Sequence, residues 1–339
     1  MTGTSRACAP SSKERNRDSP LGNPHREKKV LEVAIRNFKD NGYIDMLNQL
    51  DEKKIVFRFN KAAHTYDRAA VLQRTVGSAL LERLQGIRLQ PQTILDLGCG
   101  TGHFVSFLEK VYPSAETIGF DKSHGMLKQA QSKKKKADFS KIHWLGGQAE
   151  SLPFRDHSFE LVYSNLMLHW SVDFQETLNE LSRVLKPGGL LLFSLVGADT
   201  LKELRYCWSQ VDDNPHVHIF PDMHDLGDAL LQTPFADPVM DVDYFTLLYS
   251  DAFSLMKDLK ELGMQNLSID RHRGLTSKKS LQKFIQAYEA FRNSSGKLPA
   301  TWEIIYGHAW SYQEAPKKTQ DSKEIKIAIN EIGGRRKGY

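Results

Sequence analysis

Short apolar runs that alternate with amphipathic stretches constrain the fold of this chain more than any other feature of its sequence. The runs lie at residues 93–97, 116–121, 142–145, 159–164 and 190–195. Each run has the length of a strand, and helical patterns separate consecutive runs, which is typical of a parallel sheet with helices on both faces. The sequence therefore predicts a doubly wound α/β domain.

The pattern changes around the fifth run. The preceding helix is predicted to stop at residues 186–189, Lys-Pro-Gly-Gly, because proline and glycine end helices. Later helices are predicted at residues 199–212, 222–232, 250–262 and 277–292, and later strands at residues 239–248 and 302–306. The last two helices form an insertion that we expect to cap the functional site.

Composition narrows the class of protein. Of the 339 residues, 40% are hydrophobic and 26% are charged, as is ordinary for a globular domain. The chain contains no apolar run long enough to predict a membrane span. Its three cysteines are too scattered for a disulfide framework or a zinc site, and no HExxH-type spacing predicts a metal site. A reducing cytoplasm therefore fits best.

The net charge of +5 allows two interpretations. A charge of this size fits a mildly basic surface without a partner, and it also fits a surface that binds an acidic protein or an acidic substrate. The longest basic run, residues 133–136, follows a predicted helix and also fits a solvated turn. No feature predicts a nucleic-acid partner.

A glycine-rich loop, DLGCGTG at residues 96–102, follows the first predicted strand and precedes a helix. Open α/β sheets bind nucleotides at this place, and glycines let a ligand approach the backbone closely. The start of the helix favours a carboxylate. A dinucleotide fingerprint needs a glycine where this chain has His103, and no lysine follows as in a phosphate-binding loop. The loop therefore predicts a nucleoside site without a phosphate cradle.

Asp121 ends the second predicted strand, where a carboxylate can accept hydrogen bonds from both ribose hydroxyls of a nucleoside. The alternative role is structural, with Asp121 or Ser123 capping the next helix. The two roles are compatible, and the glycine loop favours the ligand role.

Four motifs resemble those of class I S-adenosylmethionine-dependent methyltransferases. They are DLGCGTG at 96–102, GFD at 119–121, QAESLPF at 148–154 and LKPGG at 185–189, and they span about residues 90–196. The resemblance implies a Rossmann-like sheet and S-adenosyl-L-methionine as the cofactor, with the adenine contacted by the residue after the third strand. That position usually holds Asp and is Gln148 here, whose amide can still hydrogen-bond the adenine amino group.

Four further segments make the resemblance more specific. FNKAAHTYD at 59–67, SNLMLHW at 164–170, LPATW at 298–302 and YGHAW at 306–310 resemble the malonyl-acyl carrier protein O-methyltransferase family of biotin synthesis, over about residues 52–310. The resemblance implies methyl transfer to the free carboxylate of a malonyl group on an acyl carrier protein or on coenzyme A. It also implies that the segment with Tyr66 folds over the cofactor, although a core aromatic is the alternative for Tyr66.

The two resemblances together imply a set of cofactor-binding residues. The set is Tyr66, Asp96, Gly98, Cys99, Gly100, Gly102, Asp121, Lys122, Gln148, Ala149 and Asn165.

Three alternatives remain open at the level of the sequence. The chain also resembles a family of mitochondrial complex I assembly factors, whose members are implicated in protein hydroxylation and which share the Leu-Pro-Ala-Thr segment. A methyltransferase with another small-molecule acceptor is the second alternative, and a non-catalytic cofactor-binding scaffold is the third. The segment at residues 306–310 and the weak case for a transit peptide favour the biotin family.

Methyl transfer to a malonyl carboxylate needs no general base, because the acid is already ionised at neutral pH. The site must instead orient that carboxylate and remove water from it. His169 and Trp170 follow the fourth strand on its carboxyl side, where ligands bind, with packing as their alternative role. Arg205 can pair with a carboxylate through two hydrogen bonds, or it is a surface arginine. Tyr306 and His308 share one face of the last strand and complete the candidates.

An acidic acyl carrier protein requires a basic docking surface. We expect that surface in the cap insertion, at Arg271, Arg273, Lys278 and Lys279. Residues 133–136 are the alternative, and solvated charge without a partner is the ordinary explanation for either patch.

These predictions divide the chain into five parts. Residues 1–28 contain almost no large apolar side chain, which predicts a disordered extension, and their acidic residues argue against a transit peptide. We expect N-terminal helices and the cofactor lid at residues 29–90, the cofactor-binding core at 91–196, and the rest of the fold with its cap at 197–310. The Lys-rich residues 311–339 predict a disordered tail.

Overall fold

The computed structural model describes residues 50–134, 141–269, 271 and 274–312. Outside these residues lie the predicted extension at 1–28, residues 29–49 of the predicted N-terminal helices and lid, and the predicted tail beyond residue 312.

One seven-stranded sheet forms the centre of the molecule, with the strand order β3-β2-β1-β4-β5-β7-β6. The strands are β1 (Thr93–Leu97), β2 (Glu116–Asp121), β3 (Ile142–Gly146), β4 (Phe159–Asn165), β5 (Leu185–Val196), β6 (Phe235–Tyr249) and β7 (Leu298–Ser311). The first five strands are parallel, and β7 runs antiparallel between β5 and β6.

Helices connect these strands and cover the sheet. Those in the described part of the chain are α1 (Glu52–Ala69), α2 (Val71–Leu84), α3 (Val105–Val111), α4 (His124–Lys134), α5 (Phe174–Val184), α6 (Lys202–Ser209), α7 (Met223–Gln232), α8 (Ala252–Glu261) and α9 (Lys278–Glu289). A short 3-10 turn, Leu168–Trp170, follows β4. The prediction of a doubly wound α/β fold is confirmed.

Both faces of the central strands are buried. Ile94 of β1 belongs to a core cluster that includes Val76 and Leu80 of α2, whereas the next residue, Leu95, packs in a second cluster with Leu178 of α5. Successive side chains of a strand point to opposite faces, so a strand covered on both sides must be apolar throughout. This explains why the central strands appear in the sequence as continuous apolar runs.

The last three strands are longer than the sequence predicts. β5 already pairs with β4 at Leu185, and the four residues after it form an irregularity before Leu190 pairs with Leu161. β7 pairs with β5 on one side and β6 on the other, which extends it well beyond the apolar segment at residues 302–306. Gly307 interrupts that apolar pattern because a Cβ there would lie 2.2 Å from the Phe193 ring.

The strand order reverses between β1 and β4, and such a switch point is where open α/β sheets bind ligands. The loop after β1 and the turn after β4 therefore meet at one edge of the sheet. The insertion between β6 and β7 contains α8, which packs against α1, and α9, which packs against α6. Among the described residues, no helix is both long and apolar enough to cross a membrane.

Candidate active site

The glycines after β1 adopt left-handed backbone conformations, with φ of 75° at Gly98, 54° at Gly100 and 75° at Gly102. The Gly98 N–H donates a hydrogen bond to the Phe120 carbonyl at 2.8 Å, which ties the loop to β2. A Cβ at Gly98 would lie 2.2 Å from the side chain of Met167, whereas a Cβ at Gly100 would point into open space. The loop therefore exposes backbone at Gly100, where a ligand can approach closely.

Asp121, at the end of β2, fixes this loop to the start of α4. Its Oδ2 accepts a hydrogen bond from the Gly100 N–H at 2.9 Å, and its Oδ1 accepts one from the Ser123 N–H at 2.7 Å. Burial raises the pKa of Asp121 to about 6, although both backbone hydrogen bonds lower it. The capping role considered from the sequence falls to Ser123, whose hydroxyl accepts a hydrogen bond from the Met126 N–H at 3.3 Å, and the bond to the Ser123 N–H holds the Asp121 carboxylate beside Gly100.

A cleft lies between the glycine loop and the helices α1 and α2, at the switch point where open α/β sheets bind ligands. Six of the predicted cofactor residues line it: Tyr66, Asp96, Gly98, Cys99, Gly100 and Asn165. Gly102, Asp121, Lys122, Gln148 and Ala149 are not among its lining residues. The structure thus brings the first group together and places the second around the loop and the ends of β2 and β3.

Two acceptor atoms in this cleft have no hydrogen-bond partner within the described residues. They are Oδ2 of Asp96 and Oε1 of Gln73, and both residues are buried. Burial, followed by the nearby charge of Asp121, raises the pKa of Asp96 well above its ordinary value. A buried acceptor without a partner is costly. The pair therefore suits a ligand that carries an ammonium group.

The helix α1 closes over the loop, as the resemblance implies. Thr101 donates its hydroxyl hydrogen bond to Asp67 of α1, and Lys133 forms an ion pair with the same carboxylate at 2.7 Å. Asn60 Oδ1 accepts hydrogen bonds from the Ser123 hydroxyl at 2.9 Å and from a backbone N–H at the start of α4. Tyr66 of α1 lines the cleft beside this contact between α1 and the loop. Burial, followed by the charges of Asp121 and Asp67, raises its pKa.

A carboxylate from α1 stands beside the position where the class I pattern has Asp. Oε1 of Glu52 accepts a hydrogen bond from the Gln148 amide at 3.1 Å and pairs with Nζ of Lys122 at 2.6 Å. The sequence prediction placed Gln148 and Lys122 at the cofactor and did not include Glu52. The departure at Gln148 is thus accompanied by a carboxylate supplied from elsewhere in the chain.

The turn after β4 carries His169 and Trp170 into the interior. The indole of Trp170 contacts the ring of Phe59 in α1, with centroids 5.4 Å apart in an edge-to-face arrangement. His169 is only 2% exposed, and neither of its ring nitrogens has a hydrogen-bond partner among the described residues. Asn165, at the end of β4, donates to the Gln73 carbonyl at 3.1 Å and accepts from the Ser194 hydroxyl at 2.8 Å.

Arg205 is not a surface arginine, which was the alternative considered from the sequence. Its guanidinium donates to the carbonyls of Ala198 at 3.0 Å and Thr200 at 3.1 Å, and burial lowers its pKa. The charge of Arg205 acts on His218, which lies in the segment before α7 and was not predicted from the sequence. Arg205 and His218 thus interact electrostatically, although they belong to different segments of the chain.

Tyr306 and His308 lie within the sheet on β7, and their roles as catalytic candidates stay predictions. Tyr306 pairs with Ser194 within the sheet, and the guanidinium carbon of Arg83 in α2 lies 3.7 Å from its ring centroid. His308 lies two residues further from the carboxyl edge and pairs with Leu192. The two side chains do share a face, but α2 covers that face. The buried Tyr306 hydroxyl has no hydrogen-bond partner among the described residues, and neither Tyr306 nor His308 lines the cleft.

The predicted docking surface also needs correction. Arg271 pairs with Asp51 at 3.2 Å, and its side chain is only 12% exposed, so it is a link between the cap and the start of α1. Arg273 lies outside the described residues. Lys278 and Lys279 are exposed at the start of α9. In the alternative patch, Lys133 is paired with Asp67.

Four site residues escaped the sequence analysis: Glu52, Asp67, Gln73 and His218. Asp67 ends the FNKAAHTYD segment at 59–67 and Gln73 follows it by six residues, so the resemblance to the biotin family was a usable signal for Asp67 and marked the neighbourhood of Gln73. Glu52 and His218 belong to no quoted motif, and only their spatial neighbours mark them. No group of His, Cys, Asp or Glu within the described ranges is arranged to hold a metal ion.

Comparison with known proteins defines the class. A protein-family model described as a methyltransferase domain matches residues 95–193. The solved structure of the YcgJ protein from Bacillus subtilis has a TM-score of 0.52 and 18% identity, over 70% of this chain and 99% of that chain, and shows the same fold. The fold and the matching family model together define a class I methyltransferase domain.

The relatives define the family. A malonyl-[acyl-carrier protein] O-methyltransferase from Methylovorus sp. is 45% identical over 270 residues, which is 78% of this chain and 90% of the relative. Its counterpart from Nitrosospira multiformis is 43% identical over 275 residues, or 77% and 89% of the two chains. That from Coxiella burnetii is 43% identical over 284 residues, or 84% and 96%. The chain belongs to the malonyl-acyl carrier protein O-methyltransferase family, and the resemblance stated from its motifs is confirmed.

Proposed function

We propose that this protein methylates the free carboxylate of a malonyl group carried by an acyl carrier protein, with S-adenosyl-L-methionine as the methyl donor. The main support is the cleft at the switch point, where the exposed backbone of Gly100 lies in the same site as the unpartnered acceptor atoms of Asp96 and Gln73. The relatives named for this reaction support the choice of substrate. The family resemblance relates the reaction to biotin synthesis, and two buried free cysteines suit a reducing cytoplasm.

The residues around the cleft fit the parts of the methyl donor. Asp96 and Gln73 offer acceptors for its ammonium group, and the backbone at Gly100 lets its methionine part approach the loop. Asp121 offers its carboxylate to the ribose hydroxyls. Gln148, together with Glu52, stands at the end of the sheet where the adenine of this class lies. Tyr66 and Asp67 on α1 close over the loop and keep water out.

Bound S-adenosyl-L-methionine supplies a methyl group made electrophilic by its sulfonium. A bond forms between one carboxylate oxygen and the methyl carbon while the bond from that carbon to sulfur breaks, and its electron pair stays on sulfur. No proton moves, because the malonyl acid is already ionised. The protein's task is therefore to align the oxygen with the methyl carbon and to exclude water. No residue is assigned as a general base.

The basic residues at the start of α9 support a docking surface for the acidic carrier protein. Lys278 and Lys279 are exposed there, whereas Arg271 is already paired with Asp51. We propose that these two lysines contact the carrier, and that Arg271 instead holds the cap against α1. Opposite surface charge mainly steers encounter and sets register. The assembly-factor alternative is not favoured, because the compared relatives carry the methyltransferase name.

The test is transfer of a labelled methyl group to malonyl-carrier protein, with acetyl-carrier protein as the matched substrate without a carboxylate. We expect an ester on the malonyl group alone. Binding of S-adenosylhomocysteine, measured by calorimetry on the same preparation, shows that the protein is intact. Cofactor binding without transfer to the malonyl group, or equal labelling of both carriers, would contradict the proposed substrate.

A further inference from the structure

A cluster of buried basic side chains lies beyond the turn that follows β4. His218 is 7% exposed, and its ring centroid lies 5.1 Å from that of Trp170 and 4.4 Å from that of Phe220. His169, 2% exposed, packs on the same two aromatic rings, at 5.1 and 6.0 Å. The charge of Arg205, which is half-buried, acts on His218, and we call these three residues, His169, His218 and Arg205, the histidine–arginine cluster.

The nitrogen atoms of the histidine–arginine cluster are left without partners. Neither ring nitrogen of His169 or His218, nor Nε of Arg205, has a hydrogen-bond partner in the described part of the chain. Folded proteins satisfy nearly all buried polar atoms, because an unmade hydrogen bond is expensive in a dry environment. Five such atoms in one cluster therefore indicate a place where polar groups, three of them N–H donors when both rings are neutral, lack partners.

The charges within the cluster indicate which kind of ligand would bind there. Burial lowers the pKa of both histidines, and His218, which also faces the charge of Arg205, titrates at about 4. Both rings are thus neutral at pH 7, and each carries one N–H donor. The charges that act on Arg205 come from Asp199 and Glu203. Glu203 already accepts a hydrogen bond from the backbone N–H of Thr301 at 3.0 Å. The cluster therefore offers one guanidinium charge and neutral donors, which together suit one carboxylate.

The position of the cluster suits the acceptor side of the reaction. His169 lies four residues after Asn165, which lines the cofactor cleft. The intervening residue Leu166 has a φ of 52°, so the chain turns sharply between the two. Trp170 joins the cluster to Phe59 of α1, the helix that closes over the glycine loop.

We propose that the histidine–arginine cluster is the subsite that recognises the malonyl carboxylate, with His218 as a specificity-determining residue; this rests on the proposed function. The histidine N–H groups donate to one carboxylate oxygen and leave the other free to meet the methyl carbon. Neutral donors orient the anion without removing the charge that makes it nucleophilic. The methyl ester has lost that charge, so it no longer complements Arg205 and leaves.

The test compares His218→Leu with His218→Gln in the full-length protein. Leucine keeps the site apolar and removes the donor, whereas glutamine keeps an N–H donor. For His218→Leu we expect KM for malonyl-carrier protein to rise by about tenfold or more, as for loss of a hydrogen bond to a charged group. Affinity for S-adenosylhomocysteine should stay unchanged. His218→Gln should recover part of the loss. Stability towards urea should not fall in the leucine variant, since it removes two unpartnered nitrogens.

The matched control is His216→Asn, two residues away, because Nε2 of His216 already pairs with Asp212 at 2.9 Å. This control should leave KM unchanged. A His218→Leu variant that loses stability but keeps its KM would overturn the proposal and leave His218 as a packing residue.

A separate binding measurement distinguishes this proposal from the proposed function. Malonate and acetate are titrated into the S-adenosylhomocysteine complex of the wild type and of His218→Leu. Malonate binding that is lost in the variant supports the subsite even if the wild type fails to methylate the carrier substrate. Equal malonate binding by the two proteins overturns the subsite whatever the activity of the wild type.

Discussion

The Asp121 carboxylate accepts a hydrogen bond from the Gly100 N–H at 2.9 Å, so the end of one strand holds the loop after its neighbour. Asp121→Asn should therefore weaken cofactor binding by more than the loss of a ribose contact alone. We expect a fall of about tenfold or more in affinity for S-adenosylhomocysteine, from loss of charge-assisted hydrogen bonds. Calorimetry checks this, and an unchanged affinity would remove Asp121 from the site.

The same residue predicts a pH dependence of binding. Because burial raises the pKa of Asp121 to about 6, the ionised form that accepts ribose hydroxyls is lost as the pH falls below that value. Affinity for S-adenosylhomocysteine should thus decline from pH 7 to pH 5 in the wild type. The decline should be absent in Asp121→Asn, and equal slopes for the two proteins would contradict this assignment.

Glycine substitutions should separate ligand contact from folding. Gly100→Ala has a left-handed backbone cost of about 1–2 kcal/mol and places a methyl group in the open cleft, so cofactor affinity should fall more than stability. Gly98→Ala has the same kind of cost and also meets Met167 at 2.2 Å, so it should destabilise the fold more. Gly86→Ala, which meets nothing within 4 Å, is the control. Urea unfolding and calorimetry provide the two measurements.

Aspartate is the usual residue of the class at position 148. Because Gln148 is paired with Glu52, introducing Asp there should weaken cofactor binding instead of improving it. Gln148→Asp should weaken cofactor binding by a few-fold, because two carboxylates then face each other and the amide donor is gone. The double variant with Glu52→Gln should recover the affinity. If Gln148→Asp alone strengthens binding, Glu52 does not share the adenine end of the site. Calorimetry on the four proteins of this cycle gives the coupling.

The buried ring of His218 should make the protein sensitive to acid. Its folded pKa of about 4 lies below the ordinary 6.5, so the unfolded chain binds a proton that the folded ring does not bind between these values. The free energy of unfolding should fall as the pH drops from 6.5 to 4, by up to about 3 kcal/mol for this residue. Urea unfolding of the wild type and His218→Leu over this range measures the difference, and parallel curves would contradict it.

Charge reversal at the start of α9 should affect the carrier substrate only. The double variant Lys278→Glu and Lys279→Glu should raise KM for malonyl-carrier protein by about fivefold at low salt, with less effect at high salt. KM for malonyl-coenzyme A should stay unchanged. Lys110→Glu, exposed in the last turn of α3, is the control. Equal effects on both substrates would argue for a folding defect instead of docking.

Local patterns explain what could be predicted before the structure. The apolar runs predicted where β1 to β5 lie, and the central strands β1, β4 and β5 are largely apolar because both of their faces are covered. The glycine loop and Asp121 were found by spacing, since a left-handed turn next to a ligand requires glycine at fixed positions. β7 was predicted far too short, because its ends are stabilised by pairing with both β5 and β6.

The sequence by itself determined the doubly wound sheet, the position of its glycine loop and the family, because these depend on periodicity and on residues close together in the chain. Only the tertiary structure paired Glu52 with Gln148, placed Arg271 in an ion pair with Asp51, and set the guanidinium of Arg83 over the ring of Tyr306. It also buried His218 near Arg205. Such contacts join segments that are far apart in the chain, and their partners are fixed by the packing of helices on the sheet, which no local pattern encodes.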